Sequence, residues 1–321
     1  MVASVGMTAM LATGAGAQVS GALSPVRAQK IANQTIGSFP VQENDHFAAT
    51  FAVGDFNGDG RDELATGVPD DDGPTTAPVT DGGAFIVSQY FPTIGLDPVK
   101  LVRQSAGLDA PEAGDKFGGD SFNEVYPRAK PLVSCDFNHD GFDDLAVGIP
   151  EEDFGATGSA GAVQVHYGRA SSFPGFGSEF FTQNTAGIPG DVEASDSFGE
   201  ALACGDFDGD GFDDLAVGVA FEDFGSFSHN AGMIEILPGW SGGLASDFAY
   251  SIDQDTSGVD GGSEEQDRFG YSLAVGNFDG DTHDDVAIGV VSEDDVGAVQ
   301  ILFGSATGLN GARDLFFYDD D

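Results

Sequence analysis

Short apolar runs, separated by segments rich in Gly and Asp, follow one another along most of the chain. The runs are rich in Val, Ile, Leu and Phe, and none keeps a 3.6-residue period long enough for an α-helix. Apolar runs of this kind, bounded by turn residues, predict β-strands. The 48 glycines follow no collagen-like period and therefore indicate many tight turns. The pattern predicts an all-β fold.

The apolar runs belong to a unit that occurs four times, and each copy contains an acidic loop. A Phe-Gly pair precedes the loop in the last three copies, and Phe47-Ala48 takes its place in the first. The runs LATGVP, LAVGIP, LAVGVA and VAIGVV follow the loops, and two further apolar segments complete each copy. Four short strands per unit are typical of a β-propeller blade, which buries its faces only against neighbouring blades. The acidic loops begin at Asp55, Asp136, Asp206 and Asn277.

The repeats define a predicted propeller domain of residues 18–321. Segments near both ends, LSPVRAQKIANQ and DLFFYDDD, resemble the fourth strand of a repeat, so the chain has one such segment more than it has full repeats. Two interpretations stay open: the surplus strand closes a ring of four blades, or the chain is a fragment of a larger propeller. The four repeats are predicted at about residues 41–104, 111–182, 192–253 and 263–321.

The N-terminal segment, residues 1–17, is predicted to be a signal peptide. It is apolar, consists mostly of small residues and ends in Ala15-Gly16-Ala17, which matches an A-x-A cleavage site, although it lacks the usual basic residue near its start. No later stretch is apolar for the roughly 18 residues that a membrane-spanning helix needs. The mature protein is therefore predicted to be secreted and soluble.

The charge of the chain limits its partners. With 54 acidic and 11 basic residues, the formal net charge is −43. This charge argues against nucleic-acid binding, which needs a cationic surface, and against adhesion to anionic lipids. It favours a cation or a basic partner, and adaptation to a saline habitat is an alternative cause of the same excess.

The acidic loops have the layout of calcium-binding loops. In DFDGDGFDD, side-chain oxygens stand at positions 1, 3, 5 and 9, Gly211 stands at the turn, and position 7 can offer a backbone carbonyl. A hard cation such as Ca²⁺ takes six to eight oxygen ligands, and a glycine lets one short segment wrap around it. The predicted ligands are Asp55, Asn57, Asp59, Arg61 and Glu63; Asp136, Asn138, Asp140, Phe142 and Asp144; Asp206, Asp208, Asp210, Phe212 and Asp214; and Asn277, Asp279, Asp281, His283 and Asp285.

Two other interpretations of these loops compete with calcium binding in a β-hairpin. An EF-hand needs flanking helices and a Glu at position 12, where this chain has Thr, Val or Ile among predicted strands. An Asp-Gly hairpin turn without metal is the second alternative. The fourth loop is predicted to bind more weakly, since Thr282 replaces the glycine and Asn277 removes a charge. The Phe at position 2 of every loop is interpreted as a core anchor.

The two cysteines, Cys135 and Cys204, stand one and two residues before their acidic loops. On strands of period two, this difference points the two side chains to opposite faces of their sheets. A disulfide between them is therefore not expected, although it stays open.

Catalytic motifs are weak in this sequence. The segment GWSGG, residues 239–243, matches a nucleophile elbow, but it lies where other repeats have a turn, so Ser241 is interpreted as a turn residue. The five histidines occupy non-equivalent repeat positions, and Trp240 is expected to pack in the turn. No catalytic residue is assigned. A hydrolase or lyase scaffold with a site in the central channel remains the alternative function.

A second acidic series follows the second strand of each repeat, and a single Asp precedes each Phe-Gly position. In a meander these loops share the face of the propeller opposite to the calcium hairpins. One hypothesis is that they form an exposed acidic ring for a basic partner, a cation or a polar glycan; ordinary solvated loops are the alternative. The residues concerned are Asp70–Asp72, Glu151–Asp153, Glu222, Asp223, Glu293–Asp295, Asp45, Asp115, Asp196 and Asp267.

The order of segments in DRFGYSLAVGNFDGDTHDDVAIGV, followed by VGAVQILFG, resembles the FG-GAP repeat of integrin α-chain propellers and their secreted bacterial relatives. The resemblance covers nearly all of the chain from residue 18 onward. It implies a β-propeller with calcium in the hairpins between the first two strands of each blade. The chain is predicted to be a non-catalytic module for adhesion or recognition of an extracellular protein or glycan, and the ligand-binding face of an integrin is not carried over to it. The chain departs from integrins in having four legible repeats, where integrin heads have seven blades, and in losing the proline of "GAP" from the last two copies.

Overall fold

Nearly all regular structure in the computed structural model is β-sheet. In the described part of the chain there is no α-helix, and the only helical segments are two 3₁₀ turns, Ser246–Phe248 and Glu293–Asp295. Neither could cross a lipid bilayer. The predicted signal peptide, residues 1–17, lies outside the described residues. The structure describes residues 48–71, 83–91, 95–102, 115–118, 131–170, 178–224 and 229–318.

The strands form four antiparallel sheets of four strands each, one from each predicted repeat. We name these sheets blades 1 to 4. Blade 1 contains β1 Phe51–Gly54, β2 Glu63–Val68, β3 Ala84–Phe91 and β4 Gly95–Val102; blade 2 contains β5 Leu132–Cys135, β6 Asp144–Ile149, β7 Ala162–His166 and β8 Ser178–Phe181. Blade 3 contains β9 Ala201–Gly205, β10 Asp214–Val219, β11 Met233–Leu237 and β14 Tyr250–Ile252, with a two-stranded hairpin, β12 Gly239–Trp240 and β13 Gly243–Leu244, before its last strand. Blade 4 contains β15 Phe269–Gly276, β16 Asp285–Val290, β17 Ala298–Phe303 and β18 Asn310–Tyr318. The predicted all-β propeller architecture with four legible blades is confirmed.

Each acidic loop closes the hairpin between the first two strands of its blade. The strand residues that flank the loops pair directly: Gly54 with Glu63, Cys135 with Asp144, Gly205 with Asp214 and Gly276 with Asp285. The second strand is buried along its whole length in blades 2 and 3, where all six of its residues are buried. It is buried because neighbouring strands flank it and neighbouring blades cover both its faces, as its continuous apolar sequence predicts.

The hydrophobic core lies between blades. Three clusters of buried side chains join blades 1 and 2, blades 2 and 3, and blades 3 and 4. None of these three clusters joins blade 4 to blade 1. In the described residues the four blades therefore form an arc whose two end blades each have one sheet face without a following or preceding blade.

The glycines of the repeat bring successive blades close together. The glycine in the second strand of blade 3, Gly218, lies so close to the backbone of Gly270 that a Cβ atom on Gly218 would stand 2.3 Å from the Gly270 carbonyl oxygen. Gly148 meets Gly199 in the same way, at 2.1 Å. The Phe-Gly pair also returns to its own blade, since the Gly199 amide donates to the Gly218 carbonyl at 3.2 Å. The pair is therefore a backbone junction between two blades.

The phenylalanine at position 2 of the loops is a core anchor in three copies only. Phe56, Phe137 and Phe207 are fully buried, as predicted. Phe278, in the fourth copy, is 49% exposed, so the prediction is wrong for this residue. The reason is its position: the other three side chains are covered by the following blade, and no blade follows blade 4 in the described residues.

The cysteines are joined, contrary to expectation. A disulfide links Cys135 on β5 to Cys204 on β9, with the two Cα atoms 6.4 Å apart. The expectation was wrong because the two strands belong to adjacent blades that pack face to face. The Cys135 side chain points toward blade 3, and the Cys204 side chain points toward blade 2. Because they lie on opposite faces of equivalent strands, they meet between the two blades.

Candidate metal centres

The first residue of each loop, an aspartate in three copies and Asn277 in the fourth, organises the backbone that follows it. In the third loop, the Asp206 carboxylate accepts hydrogen bonds from the amides of Gly209 at 2.7 Å, Asp210 at 3.1 Å and Gly211 at 3.0 Å. The two glycines have φ values of +76° and +94°, a region that residues with a Cβ rarely adopt. The loop is therefore shaped locally by Asp and Gly, which explains why these residue types recur at the same positions.

The third loop brings three of its predicted ligands together. One carboxylate oxygen from each of Asp206, Asp208 and Asp210 lies within 4.8 Å of the others. The Asp210 amide donates to Asp208 Oδ1 at 3.0 Å, and this hydrogen bond holds the Asp208 carboxylate close to Asp210. Three carboxylates at this spacing repel one another, and a cation between them converts the repulsion into attraction. Clustered hard oxygens of this kind fit Ca²⁺.

The carboxylate at position 9 has a second role. In the second loop, Asp144 is fully buried and accepts from the amides of Phe137 at 3.1 Å and Gly168 at 2.7 Å. Asp214 and Asp285 make the same pair of bonds in their own blades. This side chain therefore ties the loop to the end of the third strand. Each of its oxygens keeps a lone pair, so the geometry also allows it to serve as a ligand.

The first loop carries Glu63 at position 9, and this longer side chain behaves differently. Glu63 is buried, one of its oxygens accepts from the Asn57 side-chain amide at 2.7 Å, and Oε2 has no hydrogen-bond partner. The Asp59 carboxylate accepts from the Gln89 side chain at 2.7 Å. A buried oxygen without a partner costs free energy, which a bound cation would recover.

The position 9 carboxyl groups of the first three loops are hard to ionise in the absence of a cation. Burial, reinforced by the charges of neighbouring carboxylates, raises the pKa of Asp144 to about 8 and the pKa of Asp214 to about 7. Burial and the charges of Asp55 and Asp59 raise the pKa of Glu63 to about 7. A bound divalent cation reverses this effect, because it favours the charged form of every carboxylate around it.

In the fourth loop, an arginine side chain pairs with one of the predicted metal ligands. The Arg313 guanidinium, from β18, lies 3.0 Å from a carboxylate oxygen of Asp279. The Asn277 side-chain amide donates to the Asp281 carbonyl at 2.7 Å, and a hydrogen bond from the His283 amide lowers the pKa of Asp281. Arg313 was not identified from the sequence, since it lies in a strand far from the loop. Arg313 would compete with a metal ion for the Asp279 carboxylate.

Position 8 of the loops, which was not counted among the ligands, links consecutive loops. Asp143 in blade 2 accepts from the Asp55 amide of blade 1 at 2.7 Å, and its own amide donates to the Asp55 carbonyl at 3.2 Å. Asp213 and Asp284 make equivalent pairs of bonds with Asp136 and Asp206. Burial raises the pKa of Asp213 to about 6. The signal in the sequence was an aspartate at this position in all four copies.

The second acidic series does not form an exposed ring. Most of its described members are buried and hold loops in place, which contradicts both the hypothesis of an acidic ring and the alternative of solvated loops. Asp196 accepts from the Glu193 amide at 2.6 Å, and Glu222 accepts from the Gln183 side chain at 2.7 Å. Asp45 and Asp72 lie outside the described residues. The buried members are Asp70, Asp71, Asp115, Glu152, Asp196, Glu222, Asp267 and Glu293.

The remaining catalytic candidate lies in a tight hairpin. Ser241 is in the turn between β12 and β13, as predicted, and the strand–turn–helix context of a nucleophile elbow is absent there. Trp240, expected to pack in this turn, is instead 54% exposed beside the exposed Phe248. The base of the hairpin packs on blade 2, where the Leu244 amide donates to the Tyr167 hydroxyl at 2.9 Å, and only its tip, residues 240–242, is exposed.

Comparison with known proteins identifies the repeat. A family model described as "FG-GAP repeat" matches residues 47–87, 132–166, 198–234 and 269–302. The chain is 33% identical to integrin alpha-3 of Cricetulus griseus over 220 residues, which are 66% of this chain and 17% of that protein. It is 30% identical to phosphatidylinositol-glycan-specific phospholipase D of Mus musculus over 158 residues, which are 49% of this chain and 17% of that protein. The chain thus matches less than a fifth of the length of either relative.

Among solved structures, rhamnogalacturonan lyase YesW aligns with a TM-score of 0.41 and 13% identity, over 80% of this chain and 46% of the lyase chain. The assignment depends on the four repeat matches, each of which falls on one four-stranded blade with its acidic hairpin. The chain is therefore an FG-GAP repeat protein with a propeller-like arrangement of four blades.

Proposed function

We propose that this protein is a secreted, calcium-loaded recognition module without catalytic activity of its own. The observation that carries the proposal is the cluster of Asp206, Asp208 and Asp210 in a loop whose fold recurs in every blade. The ion would be held by the oxygens predicted from the sequence, including the backbone carbonyls at position 7. Calcium would neutralise the clustered carboxylates and fix the hairpins.

Calcium in this role is structural. Each of the first three loops is bonded to position 8 of the next loop, so an ion that orders one hairpin also restrains its neighbour. The result would be a rigid arc that presents its remaining loops to a partner. The matches to integrin α chains favour an extracellular protein or glycan as that partner.

An extracellular location is supported by two features. The Cys135–Cys204 disulfide is typical of proteins that mature in an oxidising compartment. The N-terminal segment has the composition of a signal peptide.

The alternative function, a scaffold for an extracellular hydrolase or lyase, is supported by the match to a phospholipase D, but that match covers only 17% of the enzyme.

The calcium proposal is tested by calorimetry on the full chain. Dialysed protein should release heat on titration with CaCl₂, and saturating calcium should raise the melting temperature by several degrees relative to protein in EDTA, since a ligand that binds only the folded state stabilises it. An Asp208→Asn variant should bind one ion fewer per chain. The matched control is Asp247→Asn, at an exposed position outside the loops, which should bind as the parent does.

Two results would contradict the proposal. One is the absence of calcium binding with a melting temperature that EDTA and CaCl₂ leave unchanged. The other is the same loss of binding in the control as in Asp208→Asn. The recognition role is then tested separately with an array of glycans and extracellular matrix proteins, probed with the calcium-loaded chain and with the Asp208→Asn variant.

A further inference from the structure

The arc has two end faces that differ from its other sheet faces in being exposed. We call the side of a blade that packs on the next blade its forward face, and the opposite side its rear face. The forward face of blade 4 presents Phe278, Val299, Leu315 and Phe317, each between 44% and 54% exposed. The rear face of blade 1 presents Phe51 and Val53, each 42% exposed. Exposed apolar groups of this size, grouped on one face, indicate an interface.

The exposed positions are those that form the core elsewhere in the molecule. Val299 is equivalent to Val163 and Ile234, and Phe317 is equivalent to Phe181 and Ile252; these four are buried against the following blade. Phe51 is equivalent to Leu132 and Leu202, which are buried against the preceding blade. The two end faces therefore carry the two halves of an ordinary junction between blades.

The polar groups of the end faces match as well. At every junction within the chain, the aspartate at position 8 of one loop accepts from the amide at position 1 of the preceding loop. The two ends carry the same groups without a neighbouring loop of the chain to bond to: Asp62 at position 8 in blade 1 and the Asn277 amide at position 1 in blade 4. Both residues are exposed. Together, they provide the donor and acceptor groups of one more such pair.

The charges of the two ends are also complementary. The residue at position 7 contacts position 4 of the preceding loop: Phe142 packs on Gly58, and His283 packs on Gly209. In blade 1 this residue is Arg61, which is exposed. In blade 4 the position 4 glycine, Gly280, has open space above it and acidic neighbours in its loop. An arginine that occupied this space would meet carboxylates, which pair favourably with it.

We propose that the forward face of blade 4 docks on the rear face of blade 1 of a second copy of this chain. The two faces lie at opposite ends of the arc and are exposed in the same molecule, so they do not cover each other within one chain. The contact is head-to-tail, meaning that each copy uses a different surface. It would continue the packing of blades across the boundary between molecules and place Arg61 of one copy beside the fourth acidic loop of the other.

The test uses the full chain and measures its mass in solution by analytical ultracentrifugation over a range of concentrations. The parent should associate reversibly. Val299→Glu, on the forward face, and Phe51→Glu, on the rear face, should each weaken association at least about tenfold, because each buries a charge in the junction. An equimolar mixture of the two variants should recover a dimer, since each still has one intact face of opposite kind.

Matched controls separate this contact from general hydrophobic association. Phe248→Glu removes a side chain that is 75% exposed on blade 3, away from both end faces, and should associate as the parent does. Arg61→Glu should weaken association without changing the apolar surface. Unchanged melting temperatures would show that the variants are folded.

The proposal would be overturned by a parent chain that stays monomeric at all concentrations, which would mean that other residues or another partner cover the end faces. It would also be overturned if only one of the two end-face variants weakened association, since this result indicates a contact between two identical faces. A mixture of the two variants that remained monomeric would exclude head-to-tail docking.

Discussion

At the scale of single residues, Glu235 is the most unusual side chain in the described core. It lies in the middle of β11, is fully buried, and neither of its carboxyl oxygens has a hydrogen-bond partner. Burial, reinforced by the charge of Glu222, raises its pKa to about 9. The equivalent residues of blades 2 and 4 are Gln164 and Gln300, which are also fully buried. Blade 3 therefore has an acid where two other blades have an amide.

This acid should make the stability of the protein depend on pH. The folded state keeps a proton that the unfolded chain releases near pH 4.5, so the free energy of unfolding should fall as pH rises from about 4.5 toward 9. The variant Glu235→Gln should remove this contribution and be more stable than the parent at pH 8, by up to about 5 kcal/mol, since one pKa unit corresponds to about 1.4 kcal/mol. The two proteins should differ little at pH 4.5. Urea unfolding at a series of pH values measures the difference.

The matched control is Glu265→Gln, at an exposed position, which should follow the pH profile of the parent. Equal stability of Glu235→Gln and the parent at pH 8 would show that the folded protein solvates this carboxylate.

The residue scale also shows what the sequence could predict and what it could not. Asp206, Asp208 and Asp210 were placed in one cluster because their spacing alone determines the loop. Phe278 was assigned to the core by analogy with Phe207, although its burial depends on whether another blade follows. Arg313 was missed, since its contact with Asp279 depends on how β18 packs, which no local pattern encodes.

At the scale of elements, the junction between two blades depends on close contact between glycines. The second-strand glycine of one blade lies against the Phe-Gly carbonyl of the next, with no space for a side chain. Because both partners are backbone, neither can move aside without displacing a strand. What the repeats share is thus a short distance between the second strand of one blade and the Phe-Gly pair of the next. This explains why the second-strand glycine and the Phe-Gly pair recur together in the sequence.

Substitution at this contact should therefore destabilise the protein. In Gly218→Ala the new methyl group would stand 2.3 Å from the Gly270 carbonyl oxygen. We expect the free energy of unfolding to fall by about 1–3 kcal/mol, as for other overpacked sites. Gly262→Ala is the matched control, since its Cβ would meet no atom within 4 Å. Thermal unfolding of both variants measures the effect, and equal melting temperatures would contradict this account.

Strand order and loop positions could be predicted at this scale because four copies of one pattern reinforce one another. The β12–β13 hairpin could not, because among the described residues it occurs in one copy only and its GWSGG segment looked like an ordinary turn. Trp240 is exposed at the tip of this hairpin, where packing was expected. Features that a repeat shares with its neighbours were thus predictable, and features specific to one copy were not.

At the scale of the whole molecule, one covalent bond supplements the packing of blades. The disulfide joins the innermost strands of blades 2 and 3, across 69 residues of sequence. A cross-link over a loop of this length restricts the unfolded chain and typically stabilises a protein by about 2–4 kcal/mol. The double variant Cys135→Ala, Cys204→Ala should be less stable by this amount in guanidinium unfolding.

Reducing agent provides the control for this prediction. Dithiothreitol should lower the stability of the parent toward that of the double variant and should leave the variant itself unchanged. If the parent and the variant unfold at the same denaturant concentration, the disulfide adds no stability to the folded arc.

The position of this bond determines how the arc would respond to mechanical load. Apart from the peptide chain itself, only noncovalent packing attaches blade 1 to blade 2 and blade 4 to blade 3, whereas blades 2 and 3 are also joined by the disulfide. A force that pulls on the two ends of the chain would pass through the sulfur–sulfur bond and bypass the residues between Cys135 and Cys204, which include β6, β7 and β8 of blade 2. The other strands would bear the load and unravel, while these three would stay unloaded for as long as the surroundings remain oxidising.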